Sequence, residues 1–154
     1  SVISRSPEEE IFPLLEKLGI SVTAYGVLSR GLLSGTIPAA KSDYRAHLPR
    51  FSGDNFVHNQ KLIAELKKIA EEKGITQSQL AVAWVLAKGR NIIPTMGARK
   101  RSQLSETLGA LAVKLSPEDL KRIEAVVPPT AVAGTRYAEQ QMKTLDSEKK
   151  AIHF

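Results

Sequence analysis

Cysteine is absent from the chain, tryptophan occurs once, methionine twice, and aromatic residues together make up only 5%. Without a thiol there is no disulfide framework and no thiolate metal site, which fits a reducing compartment. So few aromatic rings leave no stacking platform for single-stranded nucleic acid. No uninterrupted apolar run approaches the ~20 residues needed to span a bilayer. Residues 1–20 read as amphipathic and acidic rather than as a secretory leader. The expectation is a cytoplasmic protein with neither a membrane nor a nucleic-acid partner.

Acidic side chains are also in short supply: 22 Lys and Arg face 16 Asp and Glu, for a net charge of +6. Lys61, Lys67, Lys68, Lys73, Lys88, Lys149 and Lys150 are scattered through helical segments beside acids and read as solvated surface. The remaining basic charge is better suited to an anionic small molecule.

What is present is ordinary for a globular domain: 42% hydrophobic and 25% charged residues over 154 positions, enough to bury a core. Ser1-Val2-Ile3-Ser4 reads as the tail of a strand. Ser6-Pro7-Glu8-Glu9 opens a helix, with Ser6 as N-cap and Glu9 closing a capping box. That helix runs to Gly19 with an irregularity at Pro13, and Ile20 to Tyr25 alternates as a strand. Residues 26–58, punctuated by Gly26, Gly31, Gly35, Pro38, Pro49 and Gly53, read mostly as a long functional loop.

Leu62, Ile63, Leu66, Ile69 and Ala70 then recur at helical spacing up to Gly74. Thr76 and Gln79 form a capping box for a helix through Leu80, Ala83, Trp84 and Ala87, closed by Gly89. Trp84 on its apolar face reads as core. Asn91 to Thr95 is a strand, Lys100 to Leu108 a helix. Ser116-Pro117-Glu118-Asp119 starts another helix, which Pro128-Pro129 stops. The tail to Phe154 carries a weak helical pattern from Ala138 to Leu145.

Strands separated by helices imply parallel pairing with right-handed crossovers. Three strands make a poor free-standing parallel sheet, and a complete eight-fold barrel takes about 250 residues. The expected class is α/β, the C-terminal part of a (β/α)8 barrel, with residues 1–127 in the barrel and 128–154 as a tail.

The most informative stretch runs from Asn91 to Leu111. A short strand, a glycine turn, the cations Arg99-Lys100-Arg101 and an amphipathic helix follow one another. Backbone N–H groups and the positive end of a helix dipole converge at such a corner, and cations placed there oppose the dipole unless an anion joins them. Gly97 permits close approach of a ligand, and Arg99 can fork onto a phosphate. Physically this is an anion-binding strand-to-helix corner; for Lys100 and Arg101 a solvated surface role is the plainer reading.

Three blocks resemble the aldo-keto reductases, nicotinamide-dependent (β/α)8 barrels: Ala24-Tyr25-Gly26-Val27-Leu28-Ser29-Arg30-Gly31-Leu32-Leu33-Ser34-Gly35, Gly74 through Leu86, and Ile93 to Leu111. The resemblance implies that Tyr25 stacks on the nicotinamide and that Gly26, Leu28 and Arg30 line the pyrophosphate. It places Gly97, Ala98 and Arg99 at the 2′-phosphate, with Gln103 nearby, and Glu106 and Thr107 at the adenine edge. An arginine there implies NADP(H) rather than NAD(H). Tyr25 as a simple strand-end cover is the competing reading. Gly26, Ala98 and Thr107 depart from the family's usual serine, hydroxyl residue and asparagine, each altering a hydrogen bond worth about 1 kcal/mol.

The family's catalytic aspartate, tyrosine, lysine and histidine belong to the first half of its barrel and have no counterpart in this sequence. Tyr44 and Tyr137 lack the flanking motifs, and His47, His58 and His153 lack metal-ligand spacing. Arg45, Pro49, Arg50 and Phe51 fall in the loop that folds near the cofactor in family members, and Arg136 and Tyr137 either line a substrate pocket or belong to a surface tail. The resemblance thus implies the NADP-binding half of an enzyme that reduces a carbonyl substrate by hydride transfer, with the other half-barrel or a second copy as partner. Alternatives are a cofactor-binding assembly module like the potassium-channel β-subunits, or a half-barrel that dimerises.

Overall fold

A computed structural model of the chain describes residues 1–35 and 43–145. Pro38, Lys149, Lys150 and His153 lie outside the described residues. The first regular α-helix is α1 (Ile11–Lys17), followed by β1 (Val22–Ala24), α2 (Gly53–Glu72), α3 (Gln77–Leu86), β2 (Ile92–Pro94), α4 (Arg101–Gly109), α5 (Pro117–Val126) and the short α6 (Glu139–Met142). This is a helix-rich α/β arrangement. β1 and β2 form a two-stranded parallel sheet in which Val22, Thr23 and Ala24 face Ile92, Ile93 and Pro94. No helix among the described residues is long and apolar enough to cross a membrane.

The core is organised around α3, buried from Leu80 to Val85 and packed against α2, α4, β2 and the turn at 29–34. It starts where expected: the Thr76 hydroxyl accepts the Gln79 N–H at 3.1 Å and Gln79 Oε1 accepts the Thr76 N–H at 3.0 Å. Along α2, Asn59, Ile63, Leu66, Ile69 and Ala70 make one buried stripe at helical period. Val2, Leu33, Leu66, Trp84 and Ile123 meet in the middle of the core. A leucine buried this fully contributes about 2 kcal/mol. α5 begins with the reciprocal bonds between Ser116 and Asp119, at 2.8 and 3.1 Å.

Several expectations need correction. Ser1 to Ser4 is a turn, closed by the Ser4 N–H on the Ser1 carbonyl at 2.9 Å. No described strand lies beside it to take its backbone groups, so they are satisfied locally while Val2 and Ile3 enter the core. Ser6 does not cap a helix. Residues Ser6–Glu8 form a 3-10 turn preceded by Arg5, because Glu8 is drawn into a two-point ion pair with Arg5 at 2.8 and 2.9 Å. Pro13 then falls in the first turn of α1, where a missing N–H breaks no helical bond. The presumed long loop is shorter than its composition suggests. It contains 3-10 turns at Ser29–Ser34, Tyr44–His47 and Pro49–Phe51, and α2 already starts at Gly53. Among the described residues of the tail, Glu139–Met142 is the helical part.

Trp84 is core, as expected, yet its ring meets charge. Arg5 lies 5.3 Å and Lys88 4.4 Å from its ring centroid, and its Nε1 donates to Glu124 at 3.3 Å. Lys88 pairs with Glu124 and, at 3.0 Å, with Glu8; Arg5 reaches Glu124 at 3.2 Å. Burial alone would raise the Glu8 and Glu124 carboxyls, but hydrogen bonds and charge from Lys88 and Arg5 outweigh it and hold both below their ordinary value of 4.5. A depressed carboxyl stabilises the fold above its unfolded pKa and ceases to as pH falls through the folded one. Glu124→Gln is therefore expected to cost about 1 kcal/mol at neutral pH. Urea unfolding at several pH values should show the two proteins converging below pH 4.5.

Candidate functional site

β1 and β2 run parallel, so their C-terminal ends open on one edge of the sheet, the edge where parallel α/β architectures bind ligands. The Thr95 N–H on the Ala24 carbonyl, at 2.8 Å, ties the two exits together. The candidates from Tyr25 to Arg30 follow β1, and those from Gly97 to Thr107 follow β2 and run into α4.

The β1 exit begins with Tyr25, 62% exposed. Gly26 follows with φ +69°, a left-handed value natural for glycine and strained for a residue with a side chain. Ser29 and Arg30 are also left-handed, at φ +46° and +55°, which side chains adopt only where the surroundings impose it. The surroundings here are the buried Val27, Leu32 and Leu33, with half-buried Leu28 packed against the same core. The Leu28 carbonyl accepts the N–H groups of Gly31 and Leu33, at 2.9 and 3.2 Å, and closes the turn.

Arg30 projects from this turn toward the tail. Its Nη1 donates to the Arg136 carbonyl at 3.2 Å, and its guanidinium lies 4.3 Å from the Tyr137 ring centroid. Arg45 donates to the Arg30 carbonyl at 2.9 Å and pairs with Asp43 at 2.6 Å. That hydrogen-bonded pair holds the Asp43 carboxyl below its usual value.

The tail crosses this exit as a strap over residues 131–137, and the sequence did not reveal what fixes it. Asn59, 1% exposed within α2, donates to the carbonyls of Arg50 and Ala133 at 3.2 and 2.9 Å. Its Oδ1 accepts the Ala133 N–H at 2.9 Å. Buried Arg50 donates to the Gly134 carbonyl at 3.1 Å and to the Ser4 hydroxyl at 2.7 Å. His58 Nε2 lies 2.7 Å from the Ala131 carbonyl. Gly134 has φ +81°, and a Cβ there would meet the Pro49 carbonyl at 2.9 Å. One signal was available: an asparagine in register with Ile63 and Leu66 on an apolar stripe needs buried partners.

So held, the strap brings Arg136 Nη1 to 3.0 Å from the Tyr25 hydroxyl. Burial would raise the Tyr137 phenol, but hydrogen bonding from Arg30 and Tyr25, with the charges of Arg30 and Arg136, leaves it below its ordinary value. Tyr25, Gly26, Arg30, Arg50, Arg136 and Tyr137 line one end of a cavity of about 400 Å³. Four arginines and one aspartate around this exit make it strongly cationic.

The β2 exit is open. Gly97, Ala98, Arg99, Lys100 and Gln103 are all exposed. Gln103 turns back on the chain, its Oε1 accepting the N–H groups of Arg99 and Lys100 at 2.9 and 3.1 Å. Lys100 is the N-cap residue of α4 rather than its first helical residue. Among the described residues Arg99, Lys100 and Arg101 make no ion pair, so three cations stand uncompensated at a helix N-terminus. Half-buried Glu106 accepts Gln79 Nε2 on its carbonyl at 3.0 Å. Thr107 gives its hydroxyl proton to the Gln103 carbonyl at 2.8 Å.

Known proteins resemble this chain in sequence and in fold. The model of the aldo/keto reductase family matches residues 1–128. A probable aldo-keto reductase 1 of Glycine max is 40% identical over 142 residues, covering 89% of this chain and 40% of that protein. The aldo-keto reductase str7 of Strobilurus tenacellus is 32% identical over 145 residues, covering 92% and 43%. Among solved structures, the glycerol dehydrogenase AKR11B4 from Gluconobacter oxydans is 33% identical and superposes with a TM-score of 0.76, over 87% of this chain and 43% of that one. The thermostable aldo-keto reductase Tm1743, in complex with the inhibitor epalrestat, is 28% identical with a TM-score of 0.59, over 81% and 36%. The chain thus spans about two-fifths of the length of the curated relatives it matches. With the family model matched across both strand exits and the helices that frame them, the chain belongs to the aldo/keto reductase family.

Proposed function

We propose that this chain is the NADP(H)-binding, C-terminal part of a (β/α)8 barrel whose whole protein reduces aldehydes or ketones to alcohols. The observation that carries the reading is the shared edge of the sheet. A cationic, tyrosine-bearing exit and a helix N-terminus with three uncompensated cations open side by side there, matching the charge distribution of a dinucleotide with an extra phosphate. The donor set fits the group. Arg99, with Gly97 and Ala98 offering no bulk, would hold the 2′-phosphate; Gly26, Leu28 and Arg30 the pyrophosphate; Tyr25 the nicotinamide. Glu106 would take the adenine edge. Thr107 would contribute only its oxygen, since its proton is already committed to Gln103. The cofactor supplies a hydride when bound. Among the described residues, the part assigned to this chain is to bind and orient the cofactor.

Two apolar flanks suit the complementary part of a barrel. Ile11, Leu14, Leu18 and Ile20 are exposed around α1, and Leu104, Leu108 and Leu111 around α4. They equally suit a second copy of the chain, the alternative to which an assembly module would also belong. Fluorescence titration with NADPH tests the cofactor reading: saturable enhancement, with NADH competing weakly, is expected. A flat titration would overturn it; NADPH oxidation by this chain alone on adding an aldehyde would uphold cofactor binding and show that the chain also supplies the proton. A sedimentation mass that doubles with concentration would favour the second copy.

A further inference from the structure

We infer that Arg136 is a positioning residue: through its hydrogen bond to the Tyr25 hydroxyl it fixes the Tyr25 ring and biases the site toward the reduced, uncharged nicotinamide. This rests on the proposed placing of the nicotinamide on Tyr25.

An exposed ring at a strand end, followed by a glycine, has little of its own to hold its side-chain torsions, and ordering it on binding costs entropy. Arg136 removes that freedom by gripping the hydroxyl at 3.0 Å. The grip is firm because Arg136 is itself placed from several sides. Its carbonyl accepts Arg30, its guanidinium lies 5.7 Å from the Tyr137 ring centroid, and Arg50 and Asn59 fix the strap two and three residues before it. Residue 136 is remote from residue 25 in sequence, so the contact exists only because the strap is brought across the strand exit.

The charge has a second effect. An oxidised nicotinamide ring is a cation and a reduced one is neutral. A guanidinium hydrogen-bonded to the ring on which nicotinamide stacks repels the first and leaves the second unaffected. Arg136 should therefore widen the gap between NADPH and NADP+ affinity. A purely structural role for the strap would weaken both forms alike.

Calorimetric titration of the whole polypeptide that carries this sequence distinguishes these cases, with NADPH and NADP+ as ligands. Arg136→Met is expected to weaken NADPH about three- to tenfold while leaving NADP+ nearly unchanged, so that their ratio collapses. Arg136→Lys, which keeps the charge, is expected to restore most of the ratio. Tyr25→Phe should weaken NADPH to a similar degree, and adding Arg136→Met to it should cost NADPH little more, because the two groups act through one bond. Equal losses for both ligands, multiplying losses in the double variant, or no loss at all would overturn the inference while leaving the cofactor reading standing. Wild-type protein that binds neither ligand would overturn the cofactor reading, and this inference with it. Should Arg136→Met fail to fold, unchanged NADPH affinity in Tyr25→Phe would overturn the inference by itself.

Discussion

Replacing Asn59 with leucine is expected to lower the unfolding free energy by about 3 kcal/mol and to release the C-terminal strap. Leucine keeps asparagine's branching and heavy-atom count and is the larger of the two, so none of that loss would come from a cavity. It comes from three backbone groups that lose their partners together: the buried carbonyl of Arg50 and the half-buried carbonyl and N–H of Ala133. Each costs about 1–3 kcal/mol when left unmade, and some recover by the strap lifting toward water. Urea denaturation measures the loss, and hydrogen exchange at the Ala133 amide locates it. A loss below about 1 kcal/mol, with that amide still protected, would mean that Arg50 and His58 suffice to hold the strap. Because Arg136 rides on the same segment, the variant should also blunt any selectivity that Arg136 confers.

Arg99→Met is expected to weaken NADPH about thirtyfold, or about 2 kcal/mol, and to leave NADH within a factor of two. Gln103 already occupies the Arg99 and Lys100 amides, so the side-chain cation is the group left to meet an added phosphate. The same substitution should raise stability by a few tenths of a kcal/mol, since a cation at the head of α4 opposes its dipole. Affinity lost while stability rises is the mark of a residue kept for a ligand. A thermal melt and a titration on one preparation provide both numbers. Equal weakening of NADPH and NADH would place Arg99 away from the 2′-phosphate.

The parts legible in the sequence were those set by neighbouring residues. Thr76 with Gln79 and Ser116 with Asp119 satisfy their own helix ends, so four positions sufficed to read them. Ser6 with Glu9 carried the same signature and misled, because Arg5 and Lys88 compete for Glu8 from outside the motif. The Val2-Ile3 pair read as a strand from its β-branched residues. Backbone pairing decides that question, and pairing is not a local property. Both strand exits were visible as glycine-punctuated breaks in pattern, which is why the candidate residues converge on one edge. The strap was not visible: Arg50 and Asn59 stand 84 and 74 residues from Gly134 and Ala133, and only the packed fold makes them one cluster.

The parallel register has a kinetic meaning as well. Val22 finds Ile92 only after the chain between them has been gathered in, whereas α3 and α5 start from contacts within one turn. Loop closure of that span is an entropic cost met before the strands repay it, so the sheet edge belongs among the late events of folding. A ligand seated there would grip contacts absent from the transition state. Such a ligand lengthens the lifetime of the folded chain while doing little to hasten its formation.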